Sequence, residues 1–546
     1  MKAIFQKSLI ILALGCAVSG LAATNPIRLD TVGYLPELPK VASIAAGCTN
    51  FQIIRASDGK IIFSGPTSGA KLNADTGENL FAADFSACRE PGIFQLEVPG
   101  VGRSPRFEIG TNAFTEAYRT TLLGMYLWRC GTAVSATFGG KTFAHAACHT
   151  NDAWLDFAGG GHTNRAANGG WHDAGDYNKY VVNAGVSVGV MLRAWEDFGG
   201  ALAKVKLQLP PSRDGLPDFL REVKWELDWL LTMQAPDGSV FHKVSTVKFG
   251  AFILPEEEPA PRYFVPWGSA ATADFVAMTA MAARNFQKYD PAFATQCLQA
   301  AQKSYQFLMA NPENHPADQS EFSTGTYAVR DRDARLWAAA ELWAATGDAE
   351  CLHDFETRAK QAGSQIDAGW DYGNVKNLGE LTYLFSTRSG RDPNLLATLR
   401  RNLLATADAI VATAAAHGYA RPLGNRYSWG GNGTVARQTV VLHAAEKLSP
   451  QPAYRATALD AVHYLLGRNS YGRSFVTGIG FEPPLHPHDR LSAALNLDGP
   501  CPGRLVGGPR QRATDWVDLE SDYTRNEIAV NWNTALIYAL AEFVPE

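Results

Sequence analysis

The sequence predicts a two-part fold, a small all-β sandwich followed by a large all-α domain of about twelve helices. Three observations carry this. The hydrophobic period changes near residue 111, from short alternating or β-branched runs to helical spacing. The helical stretches contain no strict sequence repeat, and long Gly- and Pro-rich loops separate them, the longest from Gly467 to Arg525. Twelve helices suit either a stacked solenoid or a closed double ring, and in a ring such loops would gather at one end and form a cleft.

Taken in order, residues 1–23 read as an export signal: Lys2 and Lys7 precede the apolar run "SLIILALGCAVSG", and "GLAAT" offers small residues for cleavage near Ala22 or Ala23. The expected product is secreted or periplasmic. A rival reading anchors the chain through a lipid on Cys16 in "ALGC", although Ala13 is a weak first residue for that motif. No later apolar run is long enough to cross a bilayer, so no membrane contact is expected after signal removal.

Residues 24–111 contain "VASIAAG", "FQIIRA", "KIIFSG", "GIFQLEV" and "SPRFEIG", punctuated by Gly, Pro and Asp, as in an immunoglobulin-like sandwich. Residues 112–546 form the helical domain. Its clearest helix is "LPDFLREVKWELDWLLTM", with Leu216, Phe219, Leu220, Val223, Leu227, Leu230 and Leu231 on one face. Pro217 stands in its first turn and Ser212 or Asp214 is available as a cap. Comparable stretches begin near residues 115, 179, 269, 291, 333, 349, 375, 393, 434, 452 and 526.

Composition narrows the partners. With 46% hydrophobic and 19% charged residues over 546, the chain can bury a large core. A formal net charge of -5 provides no basic field, so no nucleic-acid partner is expected. Thirteen Trp, eighteen Tyr and 27 Phe are enough for a core and for stacking platforms facing sugars. Eight cysteines become seven after cleavage, an odd number that leaves at least one outside any disulfide, and Cys48 with Cys88 is the expected bridge if their strands are neighbours.

The chemistry concentrates in "GGWHDAGDYNKY", where Asp173 and Asp176 lie three apart among glycines and rings. Alone, such a pair reads as a calcium site or a helix cap. Around it, Cys130, Cys148, His149 and His172 offer two thiolates and two imidazoles, the donors of a closed structural zinc site, although the spacing is not a compact zinc-finger pattern and a Cys130 to Cys148 disulfide is the competing reading. Trp370 and Trp429 are candidate sugar-stacking platforms, or ordinary core.

The blocks "GGWHDAGDYNKYVVN", "FHKVST", "RYFVPWGSAATADF", "WAAAELWAATGD", "YSWGGNG", "YLLGRNSYGRSFVTGIG", "PGRLVGGP" and "NEIAVNWNTALIYALAEF" resemble, in order, those of glycoside hydrolase family 9, the inverting cellulases. The resemblance covers essentially 113–546, and the β region resembles the immunoglobulin-like module that often precedes that catalytic domain. It implies an (α/α)6 barrel with an open cleft, and hydrolysis of β-1,4-glucosidic bonds in cellulose or related β-glucans with inversion, by a monomer. In that setting Asp176 is the general base, Asp173 holds the same water or orients Asp176, and Glu527 in "SDYTRNEIAVNW" is the general acid.

A helix N-terminus would favour ionised Glu527, so burial and the aspartate charges must oppose the dipole. The competing reading is an exposed Glu stabilising its own helix. His488 and Arg490 resemble the family's sugar-binding His and Arg, with Asp489 in place of the usual second histidine, and Asp518 and Tyr523 are expected along the same wall. The resemblance also favours zinc on Cys130, Cys148, His149 and His172, which would preorganise the base loop that Gly169, Gly170 and Gly175 otherwise leave mobile.

Calcium is a further expectation at Asp331 and Asp333, although Ala328 and Val329 stand where the family has Gly and Asp. A second acidic group is Asp214, Asp218 and Glu222, interrupted by Arg221. The alternatives to an endoglucanase are an exo-acting enzyme releasing short sugars or glucosamine, if "FILPEEEPAPRYFVPW" or the region 134–168 blocks one end of the cleft, and a non-catalytic polysaccharide-binding protein.

Overall fold

The structure, a computed structural model, describes residues 25–207 and 215–545. The export signal and Cys16 lie outside the described residues, as do the cap candidates Ser212 and Asp214.

The β region forms two facing sheets. One orders Ile27–Arg28, Val41–Ile44, Glu78–Asp84 and Ser68–Asn73; the other orders Gly33–Tyr34, Phe107–Ile109, Gly92–Val98, Asn50–Arg55 and Ile61–Pro66. Pairing is antiparallel except between Gly33–Tyr34 and Phe107–Ile109. Alternate residues such as Phe94, Leu96 and Val98 point inward and share a core with Phe51, Ile53 and Phe107.

The helical region alternates inner and outer helices. Val181–Leu202, Ser269–Phe286, Arg332–Thr346, Lys376–Phe385, Gly431–Leu448 and Val530–Ala541 are buried on nearly all sides. Helices such as Ala349–Gln361 and Pro393–Ala416 bury one stripe only, the pattern of an outer layer. Val530–Ala541 packs back on Val181–Leu202, so the inner series closes, and Pro393–Ala416 bridges Lys376–Phe385 and Gly431–Leu448. This closed double layer is the (α/α)6 arrangement, and it decides between ring and solenoid.

Two boundaries differ from the sequence reading. Pro217 itself occupies the cap position of Asp218–Thr232. The last helix starts at Val530, leaving Glu527 on extended backbone after the short helix Tyr523–Asn526.

The sandwich docks on the barrel through buried polar contacts. Asp30 pairs with His463 at 2.8 Å, the Tyr34 ring lies 4.7 Å from the His463 ring, and Thr31 Oγ1 donates to the Leu466 carbonyl at 2.7 Å. Farther along, Asp75 accepts from Tyr427 Oη and meets His417 Nε2 at 2.9 Å.

Candidate functional site

Loops at one end of the barrel enclose a cleft of about 640 Å³ lined by Asp173, Asp176 and Glu527 together with His488, Arg490, Trp429 and Tyr523. Asp173 and Asp176 sit on the segment entering the inner helix Val181–Leu202, whereas Glu527 precedes the inner helix Val530–Ala541. Because these helices are neighbours, residues about 350 apart in sequence meet across one cavity. The Val530 amide donates to the Asp173 carbonyl at 2.9 Å and ties the two segments directly.

The aspartates are provided with donors. Asp173 Oδ1 accepts from Asn183 Nδ2 at 2.7 Å and its Oδ2 from Tyr327 Oη at 2.6 Å. Asp176 Oδ2 accepts from Asn178 Nδ2 at 2.7 Å, from the Asn178 amide at 3.3 Å and from Tyr180 Oη at 3.1 Å. Burial, and then the charge of Asp176, push the Asp173 carboxyl up to about 8 against the Tyr327 and Asn183 hydrogen bonds. Sequence reading missed Asn178, Asn183, Tyr180 and Tyr327. Asn178 and Tyr180 lay within the motif, but Tyr327 gave no local signal because it arrives from a loop 154 residues away.

Glu527 is half-buried and faces the cavity. Burial, then Asp176 and Asp173, hold its carboxyl well above the usual range, against the Arg490 charge and the Gly175 amide. It precedes the last helix and is not an exposed first-turn residue, so the helix-stabilising role is not what the structure places there.

The base loop is densely hydrogen-bonded. Trp171 donates through its amide to Glu226 at 2.6 Å and through Nε1 to Glu222 at 2.8 Å, and Lys179 Nζ donates to the Ala167 and Gly169 carbonyls. Arg490 Nη1 and its amide both donate to the Gly175 carbonyl, at 2.7 and 3.1 Å. The glycines serve shape: Gly169 and Gly170 have φ of 93° and 75°, and a Cβ on Gly175 would lie 2.2 Å from the His488 carbonyl oxygen.

Beside this loop, Cys130, Cys148, His149 and His172 bring one donor atom each within 4.8 Å of one another. Cys130 Sγ is 4.0 Å from Cys148 Sγ and 3.6 Å from His149 Nδ1, and Cys148 Sγ is 3.7 Å from His172 Nε2. A disulfide needs about 2.05 Å between sulfurs, whereas bonds of about 2.3 Å to sulfur and 2.0 Å to nitrogen around one tetrahedral ion give edges like those seen. The residues therefore fit a metal. The other imidazole nitrogen of His149 meets Glu258 at 3.0 Å, the outer carboxylate that orients a metal-binding histidine. Among the described residues no cysteine, including Cys48 and Cys88, is in a disulfide.

The calcium candidates are engaged elsewhere. Glu222 is buried against Arg129 at 2.8 Å, Asp218 pairs with Arg221, and Asp331 pairs with Arg335. Asp333 lies within the influence of Lys376 and Asp367, but joins no cluster of three ligating side chains among the described residues.

The sugar-binding candidates divide. Trp429 is 45% exposed in the cleft, with its ring 5.6 Å from that of Tyr523. Trp370 is 0% exposed and belongs to the core, so the platform reading gives way there to its neighbours Asp371 and Tyr372, which do line the cleft. Asp518 accepts from the Leu485 and His486 amides at 2.8 and 2.9 Å, and so holds the loop carrying His488 rather than facing the cleft. Asp489 is buried against Arg504 and caps the helix Arg490–Leu495. It too is structural.

Among the described residues no helix is long and apolar enough to cross a membrane. Family profiles match twice, glycosyl hydrolase family 9 over residues 114–540 and the cellulase N-terminal ig-like domain over 22–103. Endoglucanase D of Acetivibrio thermocellus is 54% identical over 521 residues, 95% of this chain and 83% of that protein. The crystal structure of a metagenome-derived glycoside hydrolase family 9 endoglucanase superposes with a TM-score of 0.89 at 34% identity, covering 95% of this chain and 98% of the other. A Zn-binding triple mutant of the family 9 endoglucanase J30 gives 0.88 at 32% identity, covering 94% and 99%.

Proposed function

The chain belongs to glycosyl hydrolase family 9, and from that premise we infer that it is an exported endo-β-1,4-glucanase cutting cellulose or a related β-glucan with inversion. The observation that carries this reading is the opposition of a donor-rich aspartate pair and a proton-retaining glutamate across one cleft.

A glucan chain lies in the cleft with its scissile oxygen toward Glu527. Every donor to Asp176 converges on Oδ2, which leaves Oδ1 for the attacking water. As the water oxygen bonds to the anomeric carbon, Asp176 takes its proton. Glu527 delivers its own proton to the departing glycosidic oxygen as the carbon–oxygen bond breaks on the opposite face. Asp173, held by Asn183 and Tyr327, positions the same water. His488, Arg490, Trp429 and Tyr523 bind the sugars.

Cys130, Cys148, His149 and His172 would hold a zinc ion. Bound by four protein donors, it would supply a structural cross-link and no reactive position. Through His172 that cross-link would steady the backbone beside Asp173. The division into a sandwich at 24–111 and a catalytic domain at 112–546 follows the change of architecture, and the sandwich braces the barrel through Asp30 and His463.

Release of reducing ends from a soluble β-glucan tests this reading. Activity is expected in the native enzyme and lost in Asp176→Asn and Glu527→Gln. Cleavage that survives both substitutions would refute the assignment.

A further inference from the structure

The loop joining Lys243–Ser245 to Tyr263–Phe264 carries two aromatic rings that the fold leaves partly exposed. Phe249 is 48% exposed and lines the same cavity as Asp176 and Glu527; Phe252 is 38% exposed, with its ring 5.2 Å from His488 in an edge-on contact. The Arg490 guanidinium lies 5.6 Å from the Phe249 ring and 5.0 Å from the Phe252 ring. Large apolar side chains left open beside a cleft mark a binding surface more often than an unused one.

This loop is also built to stay in place. Arg490 Nε donates to the Gly250 carbonyl at 3.0 Å, Tyr177 Oη donates to the Ile253 carbonyl at 2.7 Å, and Glu256 accepts from the Ala146 amide at 2.9 Å. At its far foot Glu258 meets His149 at 3.0 Å. The rings therefore stand on a frame shared with the base loop and with the Cys and His cluster. A preformed platform binds without the entropic cost of ordering a mobile one.

We propose that Phe249 and Phe252 form an additional sugar-binding subsite on the cleft rim, which takes a β-linked pyranose ring beyond the pair of residues flanking the scissile bond. A phenyl ring has no hydroxyl to satisfy and matches the apolar C–H face of a pyranose, and the Arg490 charge seated against both rings is already committed to the Gly175 and Gly250 carbonyls. Phe249 lines the cleft itself, and Phe252 adjoins it through its ring contact with the cleft residue His488. The occupant of this subsite is accordingly the continuing glucan chain, and the proposal rests on the glucanase reading above.

The test is the ratio of kcat/KM for cellohexaose to that for cellotetraose, measured for the native enzyme and for Phe252→Leu, Phe249→Leu and the double variant. A subsite used only by longer chains predicts a fall in this ratio of about tenfold in the double variant, whereas Phe252→Tyr, which keeps a ring, retains the native ratio. A general disturbance of the fold lowers both rate constants together and leaves the ratio at its native value, and that result overturns the subsite. So does an unchanged ratio in variants that unfold at the native temperature, including the case where the rings cover a contact between two copies of the chain. If the native enzyme cleaves neither oligosaccharide, the glucanase reading falls, and the subsite falls with it.

Discussion

Replacing Tyr327 by Phe removes one oxygen and little else, and tests how the aspartate pair keeps its charge. Tyr327 Oη donates to Asp173 Oδ2 at 2.6 Å, and with Asn183 it opposes the upward push that burial and Asp176 exert on that carboxyl. A hydrogen bond to a charged group contributes about 1.5–3 kcal/mol, and one pKa unit corresponds to about 1.36 kcal/mol. Asn183 stays in place, so the lower end applies and the pair should take up its proton about one pH unit higher. The sign follows: the lost donor favoured the ionised form, so without it the carboxyl pKa rises and activity fails earlier as pH falls. The assay is kcat/KM on cellohexaose across the full pH range. The acidic limb should move up by about one unit, a tenfold loss on its slope, and the limb belongs to the coupled pair rather than to either aspartate. An acidic limb that stays where it was, with the plateau merely lowered, would refute the claim that Tyr327 tunes the pair.

Three further outcomes are expected. Gly175→Ala places a Cβ 2.2 Å from the His488 carbonyl oxygen, which is backbone and has little freedom to yield, so the loop must shift; a loss of about 1–3 kcal/mol in urea unfolding and collapse of kcat should appear together. Glu258→Gln loosens the carboxylate that orients His149, and competition with a chromophoric chelator should report zinc affinity weakened by about 10–100-fold; unchanged affinity would remove Glu258 from the metal site. Asp30→Ala strips the buried hydrogen-bond partner from His463 and should destabilise the docked sandwich by about 1–3 kcal/mol in thermal or urea unfolding, whereas native stability would contradict the bracing role.

Much of this architecture was legible because helical periodicity survives in sequence. Most helices begin within about three residues of their expected starts, and Asp173, Asp176 and Glu527 lay in compact motifs, whereas Cys130, Cys148, His149 and His172 are spread too widely for spacing alone to mark them and gained weight from the family resemblance. What escaped has physical causes. Trp370 and Trp429 are chemically alike, and only tertiary packing decides that one is sealed in the core and the other stands in the cleft. Asp518 was expected to bind sugar from the family resemblance alone, and a carboxylate suits hydroxyls and backbone amides equally; here the fold supplies amides. Glycines in the base loop suggested mobility, but they permit left-handed backbone and close contact in a tightly bonded segment. The acidic candidates for calcium met arginines instead: Asp218 with Arg221 and Asp331 with Arg335 are local pairs, three and four residues apart, whereas the distant pairing of Glu222 with Arg129 leaves no trace in local spacing.

In the proposed mechanism one water-activating carboxylate and one proton-donating carboxyl act from opposite faces of the sugar. Proton NMR of cellohexaose during its first turnovers reads this directly. New reducing ends should appear as α-anomers in a range of chain lengths, and the signal should disappear in Asp176→Asn and in Glu527→Gln. First-formed β-anomers would mean retention through a covalent intermediate, and would contradict the roles given to Asp176 and Glu527.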